Sequence, residues 1–317
     1  MSKLSNKESL SAKYSVITFA TNKMTYVRFA MNCAQSVLLH NDLPVFIVSN
    51  LDFPIPEGFK DKIFIIPAKP EHVPLGIGMK LYIDEYLQTE HTLFIDSDCI
   101  CFGDLGKIFD ACKDADVSAA GNIVPAEHWC GPIQAKVIKD TWGLDEIIRF
   151  NGGLYYIKRS ALAKSIFDKA REIGDKYDDY GFHRINGKWI NEEGPLSIAM
   201  MLYKQKPMGD NGYFMTDLYT DQRPRRINVL KGSLSMRNPS PPSPKHRSWY
   251  PAQYSPIVLH FGGSFLDSYP YKSQNLMLKL KRSGFSPSTA SFIVNLLVHA
   301  PYRSYYGLSK YIKTNKT

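Results

Sequence analysis

Cysteine is scarce in this chain. Its 317 residues include five cysteines, an odd number, and no pair has zinc-site or C-x-x-C spacing. No apolar run reaches the ~18 residues that a transmembrane helix needs, and the polar beginning MSKLSNKESLSAKYS lacks the apolar region of a secretory signal. These absences predict reduced thiols and a cytoplasmic location, with any membrane contact peripheral on the inner face.

Motifs for nucleic-acid recognition are also absent. The net charge of +9 suits anionic partners such as nucleic acid, phosphorylated sugars or an anionic membrane, although a basic solvated surface carries the same charge. Because no RNP-like or helix-turn-helix context surrounds the basic residues, nucleic acid is not an expected partner. A nucleotidyltransferase would usually bring a glycine-rich phosphate loop near its beginning, and none is found here.

Apolar residues, in contrast, are plentiful. They make up 44% of the chain, which is enough for a large core. Continuous apolar runs, typical of strands buried on both faces, alternate with helical patterns. The predicted strands are 14–20, 44–48, 62–66 and 92–95, and the predicted helices are 26–39 and 78–87. This order predicts an α/β fold with a mixed, mostly parallel sheet flanked by helices.

The second half of the chain is less regular. We predict a strand at 153–157, helices at 161–173 and 195–203, and a late strand at 257–260. Residues 205–256 hold the densest loop signals. Residues 267–317 read as a tail of basic amphipathic helices.

Two aspartates follow the apolar run that ends at 95. Asp96 and Asp98 are two residues apart, so on an extended chain their carboxylates point to the same side. Ligands bind beyond the carboxyl ends of parallel strands, and carboxylates favour Mg²⁺ or Mn²⁺, which neutralise a diphosphate. An isolated D-x-D also occurs by chance in loops, but here its position after a buried strand favours a metal site.

A histidine ends the last predicted strand. His260 precedes Phe261-Gly-Gly-Ser264, and glycines such as Gly262 and Gly263 let backbone approach a ligand closely. A histidine at a strand end is usually structural, yet imidazole also binds Mn²⁺ beside carboxylates. Asp96, Asp98 and His260 together predict a three-ligand site with positions left for a diphosphate.

Four motifs in this order resemble a known family. They are Asp96-Ser-Asp98, Phe150-Asn-Gly-Gly-Leu154, Asn191-Glu-Glu193 and His260-Phe-Gly-Gly263. The chain resembles GT-A glycosyltransferases of family 8, the galactosyl- and glucosyltransferases of the lipopolysaccharide and glycogenin type, over roughly residues 14–265.

The resemblance implies a GT-A catalytic domain, a Rossmann-like nucleotide-diphospho-sugar transferase, over 1–266, followed by the helical tail 267–317. It also implies a hexosyltransferase that uses a nucleotide sugar, most often UDP-linked, with Mn²⁺ or Mg²⁺. The acceptor would be a glycan or a lipid-linked molecule, in surface polysaccharide or lipopolysaccharide assembly, and transfer would retain the anomeric configuration.

Site residues follow from the resemblance position by position. Asp96, Asp98 and His260 match the metal ligands. The donor would contact Ala20, Thr21, Asn22, Lys80, Ser97, Gly153, Gly262 and Gly263, and the reacting centre would involve Asn151, Glu192 and Glu193. Simpler interpretations stay open: Lys80 as a surface lysine, Asn151 and Gly153 in a turn, and the two glutamates as acids at a helix start.

The sequence departs from the family at three places. Thr21-Asn22-Lys23 stands where the family often has an aspartate, and Asn191-Glu192-Glu193 replaces an acidic-Gln-acidic triplet. Leu266 replaces a lysine that binds the diphosphate; Lys272, Lys23 or a residue of the basic loop are alternatives. A catalytically inactive sugar-nucleotide binder therefore remains an alternative, as does a nucleotidyltransferase.

Basic residues concentrate in two late segments. Residues 221–247, with Trp249 and Tyr250 beside them, suit an anionic or carbohydrate acceptor, and equally a solvated loop. The tail interleaves aromatic and basic side chains, which is typical of a helix on an anionic membrane surface. A helix packed on the core with its basic residues outward fits the same pattern.

Overall fold

A computed structural model describes residues 12–305, which form two compact units. The first contains residues 12–27, 42–95 and 106–209, and the second contains 28–41, 96–105 and 210–305. Within the described part, no helix combines the length and apolarity needed to cross a bilayer. Residues 1–11 of the polar beginning and 306–317 of the predicted tail lie outside the described residues.

Strands and helices alternate through most of the chain. The strands are β1 (Tyr14–Phe19), β2 (Val45–Ser49), β3 (Ile63–Pro67), β4 (His91–Ile95), β5 (Cys99–Cys101), β6 (Val117–Pro125), β7 (Glu146–Lys158), β8 (Met215–Asp217), β9 (Arg226–Asn228), β10 (Ser233–Arg237), β11 (Gln253–Tyr254) and β12 (Val258–His260). The helices are α1 (Met24–His40), α2 (Gly106–Ala111), α3 (Glu127–Trp142), α4 (Ala161–Asp175), α5 (Glu193–Leu202), α6 (Gly262–Phe265), α7 (Tyr269–Arg282) and α8 (Pro287–Val294).

A six-stranded sheet forms the centre of the first unit, in the order β3-β2-β1-β4-β7-β6. The first four strands are parallel, and β7 runs antiparallel to both β4 and β6. Every residue of β2 and β4 is buried, which explains their continuous apolar sequences. The expected mixed, mostly parallel sheet flanked by helices is confirmed.

Helix α4 shows how the flanking helices are specified. Ser160 caps it by accepting a hydrogen bond from the Ala163 N–H, and Ala163, Ile166, Phe167 and Ala170 form one buried stripe. These side chains belong to the same core cluster as residues of the sheet. Each large apolar side chain buried in this way contributes about 1.5–3 kcal/mol.

The second unit contains two small sheets. In one, β12 lies antiparallel to β5 and parallel to β8, so that His260 pairs in register with both Cys99 and Asp217. The other has the order β11-β10-β9. Residues 28–40 of α1 also belong here, and the Ser36 hydroxyl accepts the Cys101 N–H at 2.9 Å.

Several expectations about local structure need correction. The segment expected as a helix at 78–87 is a 3₁₀ segment, Val73–Tyr86, with non-helical backbone at Gly76 and Tyr82. The strand expected at 153–157 is the end of the much longer β7. The loop-rich stretch 205–256 contains β8 to β11, and β6 and α3 were not predicted because their apolar residues are interrupted by polar ones.

The Asp96-Ser-Asp98 motif is a turn rather than an extended strand end. The Cys99 N–H donates to the Asp96 carbonyl at 3.0 Å, and this bond closes a tight turn before β5. Asp96 and Asp98 therefore do not follow the alternation of an extended strand.

The described part of the tail is not uniform. Tyr271, Met277 and Leu278 of α7 are buried in the core of the second unit, whereas Phe292 of α8 is largely exposed. Helix α7 thus matches the alternative of a helix packed on the core. The domain boundary at 266 stays a prediction.

Candidate functional site

A buried ion pair lies beside the middle of β7 in the first unit. Glu192, the residue before α5, is 1% exposed, and its Oε1 is 3.1 Å from the Lys80 Nζ. The Tyr155 hydroxyl donates to the same oxygen at 2.9 Å. Lys80 is 11% exposed, so the interpretation as a surface lysine is wrong.

Gly152 joins this ion pair to the next glutamate. Its N–H donates to Glu193 Oε1 at 2.8 Å, and its carbonyl accepts from Lys80 Nζ at 2.9 Å. A Cβ at this position would collide with Glu192 Oε1, so only glycine permits the approach. Beside it, and still within β7, the Asn151 Oδ1 accepts the Gly153 N–H at 2.9 Å, so the alternative of a turn at these residues is wrong.

The two neighbouring glutamates differ in their surroundings. Burial, and then the charge of Glu192, raise the pKa of Glu193 to about 7. Glu192 Oε2 is buried and has no hydrogen-bond partner among residues 12–305. Glu193 can therefore hold a proton near neutral pH, and Glu192 offers a buried acceptor oxygen to a hydroxyl donor.

The predicted nucleotide residues follow β1 in the first unit. Asn22 has a left-handed backbone (φ 70°), its N–H donates to Asn50 Oδ1 at 2.9 Å, and its side-chain amide donates to the Val73 carbonyl at 3.3 Å. A cavity of about 640 Å³, lined by Asn50, Asp52 and Val73 among others, lies at the carboxyl ends of β2 and β3. Such an edge is where open α/β sheets bind ligands. Ala20 is buried and Thr21 half-buried beside it.

A second cluster of charged side chains surrounds His260 in the second unit. The His260 Nε2 is 3.2 Å from Asp98 Oδ1, and its Nδ1 is 2.9 Å from Asp217 Oδ1. On the far side, Arg247 NH2 lies 3.7 Å from Asp217 Oδ2. Burial alone would lower the pKa of His260, but the charges of Asp98 and Asp217 raise it well above its ordinary value. The site therefore favours a positive charge between its carboxylates.

Ligand atoms of Asp98, Cys99 and His260 lie within 4.8 Å of one another. Asp96 is not in this group, although it is close enough for its charge, with burial and Cys101, to raise the pKa of Cys33. When Nδ1 of His260 donates its proton to Asp217, Nε2 presents a lone pair beside the Asp98 carboxylate. A histidine oriented by a carboxylate is the usual arrangement around metal-binding imidazoles, so these residues fit a divalent cation.

The glycines after His260 leave room beside the backbone. A Cβ on Gly262 or Gly263 would meet no atom within 4 Å, and Gly262 has the left-handed φ of 60°. Ser97 is buried within the turn that precedes β5. The donor contacts predicted for these three residues stay predictions.

Solved structures resemble this chain in fold. The galactosyltransferase LgtC, in complex with donor and acceptor sugar analogues, superposes with a TM-score of 0.52 and 14% identity, covering 82% of this chain and 95% of that one. The chain adopts the GT-A glycosyltransferase fold. No family model and no curated protein matches the sequence.

Two further structures are more distant. Mouse xyloside xylosyltransferase 1 gives a TM-score of 0.45 at 10% identity, covering 80% of this chain and 98% of that one. The glycosyltransferase GlyE of Streptococcus pneumoniae TIGR4 gives 0.39 at 18% identity over 62% of this chain. The match spans 45% of the GlyE chain.

Three residues of the two clusters were not predicted from the sequence. Asp217 ends a three-residue strand inside the loop-rich stretch, and nothing in its neighbourhood marks it as special. Tyr155 reads as an ordinary core aromatic of β7. Gly152 lies between two predicted site residues, Asn151 and Gly153, and the motif could have indicated it. Its contacts with the two glutamates are visible only in the structure.

The raised pKa of Glu193 predicts a pH dependence of stability. The folded-state value of about 7 exceeds the ordinary value of 4.5, so protonated Glu193 contributes stability that is fully present below about pH 4.5 and is lost as the pH rises to about 7. We expect the free energy of unfolding of the Glu193→Gln variant to fall less than that of the wild type over this interval, measured by urea denaturation. The exposed Glu172→Gln variant is the control, and parallel curves for all three proteins would contradict the assignment.

The contact of Asp217 with His260 predicts a role in orienting the imidazole. We expect Asp217→Asn to weaken Mn²⁺ binding by about 10- to 100-fold, measured by electron paramagnetic resonance titration. Asp267→Asn, at an exposed carboxylate of the same unit, should leave the affinity unchanged. Equal affinities of wild type and Asp217→Asn would show that the imidazole does not depend on this contact.

Proposed function

We propose that this protein is a metal-dependent glycosyltransferase that moves a hexose from a nucleotide sugar to a glycan or lipid-linked acceptor. The observation that carries the proposal is the Asp98–His260–Asp217 arrangement in a chain of GT-A fold. Sugar transfer needs a positioned acceptor hydroxyl, a stabilised cationic anomeric centre and a stabilised leaving diphosphate.

Different side chains of the two charged clusters are suited to these three tasks. Asp98 and His260, with Asp96 as the further predicted ligand, would hold Mn²⁺ or Mg²⁺, and the bound cation would offset the charge of the diphosphate. Glu192 and Glu193 are suited to the sugar, because one offers a buried acceptor oxygen and the other a proton near neutral pH. Lys80 fixes the Glu192 carboxylate in position through the ion pair.

Finer features of the reaction rest on the four motifs. They support a UDP-linked donor bound near Ala20, Thr21 and Asn22, and transfer with retention, in surface polysaccharide or lipopolysaccharide assembly. Position 266 holds a leucine, whereas the resembling family has a lysine there that binds the diphosphate. This difference favours a second candidate, a catalytically inactive nucleotide-sugar binder. A turnover measurement separates the two.

We expect one nucleotide sugar among UDP-, GDP-, CMP- and dTDP-linked donors to raise the melting temperature with Mn²⁺ but not with EDTA, and to be hydrolysed slowly. Asp98→Ala should abolish turnover, because the cation loses its carboxylate ligand, while Asp110→Ala, at an exposed aspartate of α2, should not. Once an acceptor is found, NMR of the product gives its anomeric configuration.

Each outcome of this screen has a distinct meaning. Stabilisation without turnover would favour the inactive binder. Full activity of Asp98→Ala in EDTA would refute the metal-dependent mechanism, and a β-linked product from an α-linked donor would refute retention.

We also propose peripheral contact with an anionic membrane through the tail. Three apolar side chains support it, since Phe292, Leu296 and Leu297 are 66%, 57% and 64% exposed. Phe292 also shares a cavity lining with Arg303. Apolar side chains that enter the headgroup region, together with nearby lysines and arginines, give reversible binding.

Flotation with phosphatidylglycerol vesicles tests this contact. The wild type should float, and the double variant Leu296→Ser, Leu297→Ser should stay in solution because it loses apolar surface for insertion. The control is Ile133→Ser, which removes an even more exposed apolar side chain outside the tail. Failure of the wild type to float would remove the membrane proposal.

A further inference from the structure

A cavity of about 650 Å³ lies in the second unit. No residue of the His260 cluster lines it. Its walls come from residues 223–233, from helices α7 and α8, and from the helical residues 295–303 that continue α8. The volume falls within the range of roughly 300–1,000 Å³ typical of small-molecule sites. None of the residues proposed above to hold the cation, the donor or the reacting sugar lines it, although its basic residues 223–231 belong to the segment 221–247.

Positive charge dominates the lining. Arg223, Arg225, Arg226, Lys231 and Arg303 all contribute, and the lining includes no aspartate or glutamate. Four of these five cations, all except Arg223, form no ion pair with a carboxylate among residues 12–305. Like charges gathered without a counter-charge repel one another, so an anion bound among them would be strongly favoured.

The walls of this cationic cavity are held by buried hydrogen bonds. The Gln274 Oε1 accepts the Val229 N–H at 2.8 Å, which ties α7 to the strand segment. The Asn228 side-chain amide donates to the Ser291 hydroxyl at 3.0 Å, which ties the same segment to α8. The cavity is therefore formed before any ligand arrives, which lowers the entropic cost of binding.

Aromatic side chains form the remaining wall. The Tyr269 and Tyr302 rings stack with centroids 3.6 Å apart and planes 14° from parallel, and the Tyr269 hydroxyl is 2.8 Å from His299 Nδ1. Phe292 lines the cavity beside the Ser291 hydroxyl. Cations for an anion, hydroxyls for hydrogen bonds and ring faces for a carbon skeleton thus meet in one place.

We propose that the cationic cavity binds a phosphate group carried on a small organic molecule. Arginine forks match the oxygens of phosphate, and the tyrosine and phenylalanine faces suit the carbon skeleton that carries it. A phosphorylated sugar and a phospholipid headgroup share this chemistry. The binding does not depend on the proposed sugar transfer.

Calorimetric titration of the full chain with glucose 6-phosphate, in EDTA to prevent binding through a metal, tests the proposal. We expect saturable binding that weakens by about tenfold or more in the triple variant Arg225→Gln, Arg226→Gln, Arg303→Gln, because charge-assisted hydrogen bonds to the phosphate are lost. Arg159→Gln, an exposed arginine of the first unit, is the matched control. If the triple variant fails to fold, the single variant Arg303→Gln should still weaken binding several-fold.

A second titration identifies the source of the phosphate. Binding to vesicles with phosphatidic acid, but not to glucose 6-phosphate or to pure phosphatidylcholine vesicles, would assign a lipid headgroup, provided that the arginine variants lose it. Asp98→Asn should leave either affinity unchanged, which separates this cavity from the site of sugar transfer. No saturable binding to either probe, or binding that the arginine variants retain, would overturn the proposal.

Discussion

The ammonium of Lys80 is the charge around which the polar interior of the first unit is arranged. Two charges 3.1 Å apart attract by about 5 kcal/mol at an effective dielectric constant of roughly 20, yet removing each from water costs several kcal/mol. The Gly152 carbonyl and the Tyr155 hydroxyl make up the difference by supplying hydrogen bonds that water would otherwise give. The 3₁₀ segment, β7 and the start of α5 consequently have to assemble together, because any one missing leaves a buried charge unpaired.

The charged cluster of the second unit has an excess of negative rather than positive charge. Around His260 the carboxylates outnumber the permanent cations, and Arg247 balances only the far side of Asp217. A proton on the imidazole or a divalent cation beside it therefore lowers the electrostatic energy of the same cluster. Both centres contain carboxylates and a permanent cation, but the carboxylate of the first is paired within the chain, whereas the second has excess negative charge that a proton or a bound cation would offset.

Much of the first unit could be predicted from its sequence. Its buried parallel strands are continuous apolar runs, and polar residues on either side mark where each strand begins and ends. The prediction failed where contacts between distant segments decide the structure. Gly76 and Tyr82 break a helix that the apolar spacing favoured, and the turn at Asp96 depends on β5 pairing with a strand much later in the chain. The motifs predicted the glutamate pair and His260 as site residues, and the structure places them in two charged clusters. Asp217 was not predicted, because it joins the second cluster only through the pairing of β8 with β12.

The short pairing between β5 and β12 can form only late in the synthesis of the chain. Cys101 and His260, at the ends of these strands, are separated by 159 residues of chain, so β5 leaves the ribosome well before its partner exists. At typical elongation rates of 5–20 residues per second, the delay is about 8 to 30 seconds. Throughout that time a fully apolar strand edge is open to other chains, and its sequence Cys-Ile-Cys offers no charge to discourage them. The pairing that brings Asp98 beside His260 is therefore one of the last contacts of the second unit that can form during synthesis.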